Sequence, residues 1–296
     1  MPAGNSKYRS TQEGWGYLLI SPMMIGFAIF FLIALGASFV LSFTRWDLLN
    51  PPVFNGLDNY RRIFTDTTFG TALFNTFAIA IPNVIFRITI SLGLAVALNS
   101  NIRFRTFYRV VFFLPVLTMP VAVATIWKWI YDPKYGPING ILESMGIQGP
   151  SWLFNQGTAI IAVVIVLLWS GVGYDMIIFL AGLQSIPRDY YEASSLDGAT
   201  GWQQFRDITV PLLTPTTFFL SVIAVIASLQ VFDLVYVMTS VDTGNRLPTL
   251  VYYISQQGFD AGRMGYAISV AWVLLAIILV FTAIQFGLQR RWVHYQ

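Results

Sequence analysis

The residues with the most chemistry to offer lie where charge is least welcome. Arg87, Asp175 and Asp233 each fall inside a long apolar run, and an ionisable side chain in such a run persists only with a partner, a water pathway or a functional role. Thr76, Asn83, Arg87 and Ser91 recur at the spacing of one helical face. That face should turn toward the protein interior, lining either a wet pathway or a hydrogen-bonded seam between helices. Gly171, Tyr174 and Asp175 share one face of a second helix, and Gln230 and Asp233 one face of a third. Carboxylates and amides bind hydroxyl groups, and aromatic rings such as those of Tyr174 and Trp169 cover C–H surfaces. Ideal helical geometry points Trp169 away from Tyr174 unless Gly171 and Gly173 distort the helix. Paired with Arg87 or with a partner subunit, Asp175 and Asp233 would be structural instead. Arg87 and Lys128 are long enough to snorkel toward a membrane surface.

A second cluster is different in kind. Glu192-Ala193-Ser194, then Gly198, then Ile208 and Pro211 combine a carboxylate able to make a charge-assisted hydrogen bond with a basic partner, two small residues that allow close helix approach, and a glycine that lets the chain reverse. A solvated interfacial loop could carry the same residue types. Other chemistries are excluded. The chain has no cysteine and one histidine, His294, which rules out disulfides, thiolate catalysis and cysteine-ligated metal, and leaves no basis for a histidine triad or a multi-histidine metal site. None of Lys7, Lys128 and Lys134 follows glycine in the phosphate-binding-loop pattern, so the chain has no such ATP site of its own. A net charge of +3 fits basic membrane-flanking loops better than a nucleic-acid footprint.

Only 10% of the 296 residues are charged and 56% are hydrophobic, against about 25% charged in a soluble domain. Such a chain cannot cover a water-facing surface, and a bilayer removes that demand. Six runs reach the ~20 residues a helical crossing needs. They lie near Tyr17–Phe43, Thr71–Leu98, Val110–Tyr131, Thr158–Leu183, Leu212–Thr239 and Tyr266–Leu288. The expected fold class is an all-α integral membrane protein with six transmembrane helices, kinked at Pro82, Pro115 and Pro120. No charge lies between Glu13 and Arg45, a run far longer than the ~7–15-residue core of a signal peptide, so the first helix is expected to be retained. Lys7, Arg9, Arg103, Arg105, Arg109, Arg188, Arg206, Arg290 and Arg291 on one side outnumber Arg45, Arg61, Arg62, Lys134, Arg246 and Arg263 on the other. The bias puts both termini in the cytoplasm: an N-terminal segment 1–15, a transmembrane domain 16–289 and a tail 290–296. Trp46, Trp127, Trp129, Trp152 and Trp292 fall near the expected interfaces, where indole rings prefer to lie.

The connection 184–211 between the fourth and fifth runs carries helix signals in two pieces. Ser185 can cap a helix with Pro187 in its first turn, and Gly198 can end it in the left-handed conformation. Thr200 with Gln203 reads as a capping box for a second helix, on which Trp202, Phe205 and Ile208/Thr209 recur at helical spacing. A folded helix–turn–helix at the inner membrane surface is expected.

The spacing Glu192-Ala193-Ser194, Gly198, Ile208, Pro211 closely resembles the EAA signature of permease subunits in binding-protein-dependent (type I) ABC importers, with Ser194 for the second alanine and Val210 for the leucine. Leu183-Gln184-Ser185-Ile186-Pro187, Tyr191-Glu192-Ala193 and Leu196-Asp197-Gly198-Ala199 resemble the carbohydrate-uptake branch. The likeness extends along nearly the whole chain, through Gly56-Leu57-Asp58-Asn59-Tyr60, Phe104-Arg105, Tyr108-Arg109, Leu114-Pro115, Phe232-Asp233, Met238-Thr239 and Gly265-Tyr266-Ala267. The outer-loop pattern and the Arg290–Arg291 ending are most similar to the first permease of maltose, lactose and glycerol-phosphate importers.

The resemblance implies a type I importer permease fold in the prokaryotic inner membrane. Glu192, Ala193, Ser194, Asp197 and Gly198 would form a cytoplasmic coupling helix on the ATPase. The solute path would run along Trp169, Gly171, Tyr174, Asp175, Gln230 and Asp233. The implied partners are a second, different permease subunit, two ATPase subunits that bind ATP and magnesium, and an extracytoplasmic solute-binding protein, with no cofactor on this chain and no nucleic acid. The competing reading is a secondary transporter using Arg87, Asp175 and Asp233 as ion sites; that class usually shows internal repeats, and none is visible. An intramembrane enzyme has little catalytic inventory here.

Overall fold

The structure, a computed structural model, describes residues 6–100, 102–239 and 247–293. His294, Arg246 and the side chains of Lys7, Arg9, Arg291 and Trp292 lie outside the described residues. Helix α1 (Ser6–Phe27) passes through a π-helical turn (Ala28–Ile33) into α2 (Ala34–Leu41). Two-residue strands β1 (Thr44–Arg45) and β2 (Val53–Phe54) pair antiparallel, Thr44 opposite Phe54. Helices α3 (Asp58–Thr65), α4 (Thr67–Asn99) and α5 (Arg105–Phe113) follow, and a 3-10 turn (Leu114–Leu117) precedes α6 (Pro120–Ile130). Next come α7 (Pro137–Ser144), α8 (Gln156–Ser185), α9 (Arg188–Leu196) and α10 (Gly201–Gln204). A π turn (Phe205–Thr209) leads into α11 (Val210–Leu212) and then α12 (Thr214–Leu229), α13 (Asp233–Met238), α14 (Leu250–Ser255), a further π turn (Gln256–Asp260) and α15 (Met264–Trp292).

Among the described residues, four stretches are long and apolar enough to cross a membrane: Gly16–Leu41, Thr67–Asn99, Gln156–Ser185 and Met264–Arg290. Two bent pairs bring the number to six if each pair is one span. The third span bends where its prolines were expected to kink it, whereas the reading of the fifth as one continuous run needs correction. The third is broken by 100° between Arg105–Leu117 and Pro120–Ile130. Pro115 and Pro120 lack the N–H groups a continuous helix would use across the join, and Pro120 instead starts α6, where that N–H is not needed. The fifth bends by 63° between Gly201–Leu212 and Thr214–Leu229 and stops at Leu229, before a separate helix begins at Asp233. Pro82, by contrast, lies inside a helix that continues through it. The second span starts earlier than expected because Asp66 caps it, its carboxylate accepting from the N–H groups of Thr68 and Phe69. Among the described residues, the all-α expectation misses only the β1–β2 pair. There the Asp47 carboxylate accepts from the N–H groups of Leu49 and Asn50, and these bonds, that from Asn50 foremost, hold it below the usual carboxylate range.

The chain divides into two compact units, one running up to Thr65 together with Ile254–Trp272, the other comprising Asp66–Tyr253 and the segment from Val273. In the first unit no residue of the most apolar part of Gly16–Leu41 is buried within the chain. Its order comes from the loop after α2. The Asn59 amide donates to the carbonyls of Ser42 and Thr44, and the Tyr60 and Ser42 hydroxyls are 2.8 Å apart. The Arg62 guanidinium lies 4.7 Å above the Tyr266 ring. Gly265 has to be glycine: a Cβ there would overlap the Thr44 carbonyl.

In the second unit α4 and α8 form the centre. One apolar cluster joins Ile79, Val123, Tyr131, Val163, Val166 and Met238; another joins Ala95, Met176, Phe179, Leu183, Leu213 and Leu220. Lipid tails are as apolar as leucine, so close approach matters more here than apolar burial. Ala72, Ala95, Ala124, Ala159, Ala162 and Ala224 are fully buried. A Cβ on Gly173 would overlap the Phe112 carbonyl, and one on Gly182 would reach 2.9 Å from Thr216 Oγ1.

Candidate functional site

Two arrangements stand out, a polar seam inside the apolar bundle and a folded connection between α8 and α12. In the seam, Arg87 of α4 reaches Asp175 of α8 through two parallel bonds of 2.7 Å, Nε to Oδ2 and Nη2 to Oδ1. This fork-to-carboxylate geometry is the strongest an arginine makes. Asp175 is 1% exposed and the Arg87 side chain 13%. Gly171 makes the space: a Cβ there would come within 2.9 Å of Nη1. Above and below, Asn83 Nδ2 donates to Ser228 Oγ at 2.8 Å, Ser91 Oγ to the Val172 carbonyl at 3.0 Å, and the Leu250 N–H to Thr76 Oγ1 at 2.8 Å. The face read from Thr76, Asn83, Arg87 and Ser91 is thus a hydrogen-bonded seam. Sequence reasoning missed one extension of it, Asn75, which accepts from Gln156 at 2.6 Å and donates to the Pro248 carbonyl; an amide beside Thr76 inside an apolar run was the available signal.

The proposed path residues do not come together as the helical wheel suggested. Asp175 is buried and paired, while its neighbour Tyr174 is 40% exposed. Trp169 meets the Trp127 ring at 5.7 Å and lines an apolar cleft of about 310 Å³ with Phe112, Pro115 and Gly173. Gln230 and Asp233 are exposed. They do not share a helical face, because Gln230 ends α12, Phe232 leaves helical geometry and Asp233 opens α13.

The α8–α12 connection folds into two short helices. The expected Ser185 cap does not form: Ser185 is the last residue of α8, its hydroxyl donates to the Gly182 carbonyl, and Pro187 occupies the N-cap position. Gly198, at φ +80°, ends α9 as expected. The Ala199 N–H bonds the Ser194 carbonyl and the Gly198 N–H the Ser195 carbonyl, a Schellman closure. The Thr200–Gln203 capping box is present in both directions. What the sequence did not disclose is the clamp between the helices. Gln204 Nε2 donates to the Tyr191 carbonyl, Ser194 Oγ and Ser195 Oγ, at 3.2, 3.0 and 2.8 Å, and the Tyr191 and Thr209 hydroxyls are 2.9 Å apart. Ser194 therefore adds a polar contact that alanine would lack. No residue of α9 is buried. Glu192, Ala193, Asp197 and Gly198 are exposed, with Leu196 at 89% and Trp202 at 69%. The element thus spends its hydrogen bonds internally and leaves a carboxylate and large apolar groups outside. Among the described residues no group of histidine, cysteine or carboxylate side chains could hold a metal ion.

Apolar spans with an internal polar seam and an exposed helical connection define a polytopic membrane protein. Residues 89–294 match the family model described as binding-protein-dependent transport system inner membrane component, and the chain belongs to that family. It is 40% identical over 286 residues to the probable ABC transporter permease protein YesP of Bacillus subtilis, covering 95% of this chain and 92% of that one. It is 34% identical to the arabinooligosaccharides transport system permease protein AraP of the same organism, over 92% and 87% of the two chains. A chain of a bacterial ABC transporter involved in import of the acidic polysaccharide alginate has the same fold, with a TM-score of 0.86, 24% identity and 97% and 99% coverage. A chain of a bacterial alginate ABC transporter in complex with an alginate pentasaccharide-bound periplasmic protein also has this fold, at a TM-score of 0.85, 23% identity and 97% and 98% coverage. Membership makes the chain a multi-pass transport permease rather than an enzyme. It also sets aside the ion-driven alternative, whose Arg87 and Asp175 are bound to each other.

Proposed function

We propose that this chain forms part of the translocation pathway of an ATP-driven importer for a carbohydrate. The name of the AraP relative supports the solute class. A solute-binding protein delivers the solute from outside, and two separate ATPase subunits bind ATP and magnesium. A second permease, different from this one, completes the pathway. Both termini face the cytoplasm, with 1–15 and 290–296 flanking the transmembrane domain 16–289. ATP binding draws the ATPases together, the segment 184–211 follows, and the bundle exchanges inward-facing for outward-facing states, a population shift driven by a ligand that favours one state. Trp169, Tyr174, Gln230 and Asp233 contact solute in that cycle. Gly171 and Asp175 contribute through the seam.

The observation that carries this reading is the exposed α9 helix, closed at Gly198 and clamped by Gln204, at the end of a membrane-crossing helix. Its test is Glu192→Lys in the assembled importer. A lost charge-assisted bond is worth about 1.5–3 kcal/mol, so uptake should fall about tenfold or more while the chain still inserts. Stimulation of the ATPase by loaded binding protein should be lost. Normal uptake by this variant would refute the docking role.

A further inference from the structure

Beside the start of α9, two recesses share Arg105. One, of about 500 Å³, is lined by Arg105 and Arg188 with Asn99, Gln184 and Tyr191. The other, of about 470 Å³, is lined by Arg103 and Arg105 with Ser100 and Thr106. No carboxylate lines either recess; Asp189 and Glu192 lie on α9 but are exposed outside them. Among the described residues none of the three guanidiniums has an ion-pair partner, and Arg103 lies 5.2 Å over the Phe104 ring. One turn along α5, Arg109 holds Nε and Nη2 buried with no hydrogen-bond partner. Arg105 and Arg188 are the first residues of α5 and α9, and neither helix has a side-chain cap. The uncapped first-turn N–H groups of α5, which has no acidic residue in that turn, add positive potential to that of the arginines. A concave site with several unpaired guanidiniums and amide donors at Asn99 and Gln184 is matched to a phosphate, which arginine binds through its fork.

We propose that this recess binds the phosphate of an anionic phospholipid headgroup, held by Arg105 and Arg188. A lipid is favoured over a soluble phosphate because the site adjoins an outward apolar strip. Phe104, Phe107 and Val110 of the α5 region are 66%, 63% and 58% exposed and can carry the acyl chains while the headgroup enters the basic pocket. The bound headgroup ties α5 to the first turn of α9, which links lipid composition to the docking helix. Headgroup binding is independent of membrane orientation; only the link from the lipid to a docking helix rests on the function proposed above.

The test uses the assembled transporter in neutral detergent, loaded with phosphatidylglycerol or phosphatidylcholine, with retained lipid counted by native mass spectrometry. The wild type should retain phosphatidylglycerol selectively. Loss of both forks in Arg105→Gln/Arg188→Gln should weaken retention about tenfold or more, and Arg105→Lys/Arg188→Lys should keep the preference for the anionic lipid. Should the double glutamine variant not assemble, each single glutamine variant must still lower retention. Unchanged retention in the glutamine variants overturns the site. Displacement of phosphatidylglycerol by excess inorganic phosphate overturns its assignment to lipid. A recess that retains lipid only when the ATPase subunits are absent belongs to a protein partner, and overturns it equally.

Discussion

A carboxylate that is 1% exposed and held by two guanidinium bonds is not free to bind a passing solute. The function of Asp175 follows from what its removal would leave behind. Asp175→Asn would strand Arg87 in an apolar bundle, and an uncompensated buried charge costs about 3–5 kcal/mol. Replacing both partners with apolar residues removes the charge and the need for its partner together, and such exchanges are often neutral. Asp175→Asn should therefore lower the melting temperature of the purified assembly and the amount found in membranes. Arg87→Met/Asp175→Leu should restore both and leave uptake largely intact. A double variant that is stable yet transports nothing would return Asp175 to the solute path. The pair was half legible in the sequence: composition marked Arg87 and Asp175 as residues needing a partner, and helical periodicity put Arg87 on an inward face. Which helix lay opposite was hidden, because the contact joins residues far apart in the chain and depends on the bare Cα of Gly171.

At the scale of the element, the α9–α10 connection owes its shape to hydrogen bonds closed within itself. Gly198 is required by backbone conformation alone, since nothing lies within 4 Å of where its Cβ would be and φ is +80°. A β-branched residue there costs about 1–2 kcal/mol of left-handed strain, whereas asparagine tolerates the region. Gly198→Val should thus reduce ATP-coupled uptake several-fold and Gly198→Asn should keep most of it, as measured with labelled solute in vesicles. Equal uptake by both would show that the turn does not position α9. These short-range features were legible because a Schellman glycine and a Thr–Gln capping box are fixed by residues within a few positions of each other. The Gln204 clamp was not, since a glutamine's partners ten and thirteen residues back follow from how the helices fold together. The same limit explains the third span. Its composition gave its length, and Pro115 and Pro120 marked the break, but neither its 100° angle nor the seating of the Phe112 backbone against Gly173 follows from residues near one another in the chain.

At the scale of the whole molecule, α8 is the member shared by both arrangements. Its 30 residues make a rod about 45 Å long at 1.5 Å per residue. The rod carries the Asp175 end of the seam and is followed, after an extended break at Ile186–Pro187, by α9, so in the proposed cycle a push at Glu192 crosses that break before it enters the rod. Hydrogen–deuterium exchange on the complete transporter, with and without its ATPase subunits, tests this division of labour. The α4 and α8 amides near Arg87 and Asp175 are internally bonded and enclosed, and should exchange slowly in both states. Those of Glu192–Asp197 lie on an exposed helix with no buried residue, and should slow about tenfold or more only when the ATPases are present, because docking suppresses the local opening that exchange requires. If those amides exchange at the same rate in both states, α9 is not where force enters. The rod would then serve only to hold the bundle together, and the search for the coupling surface would move to the other ends of the spans.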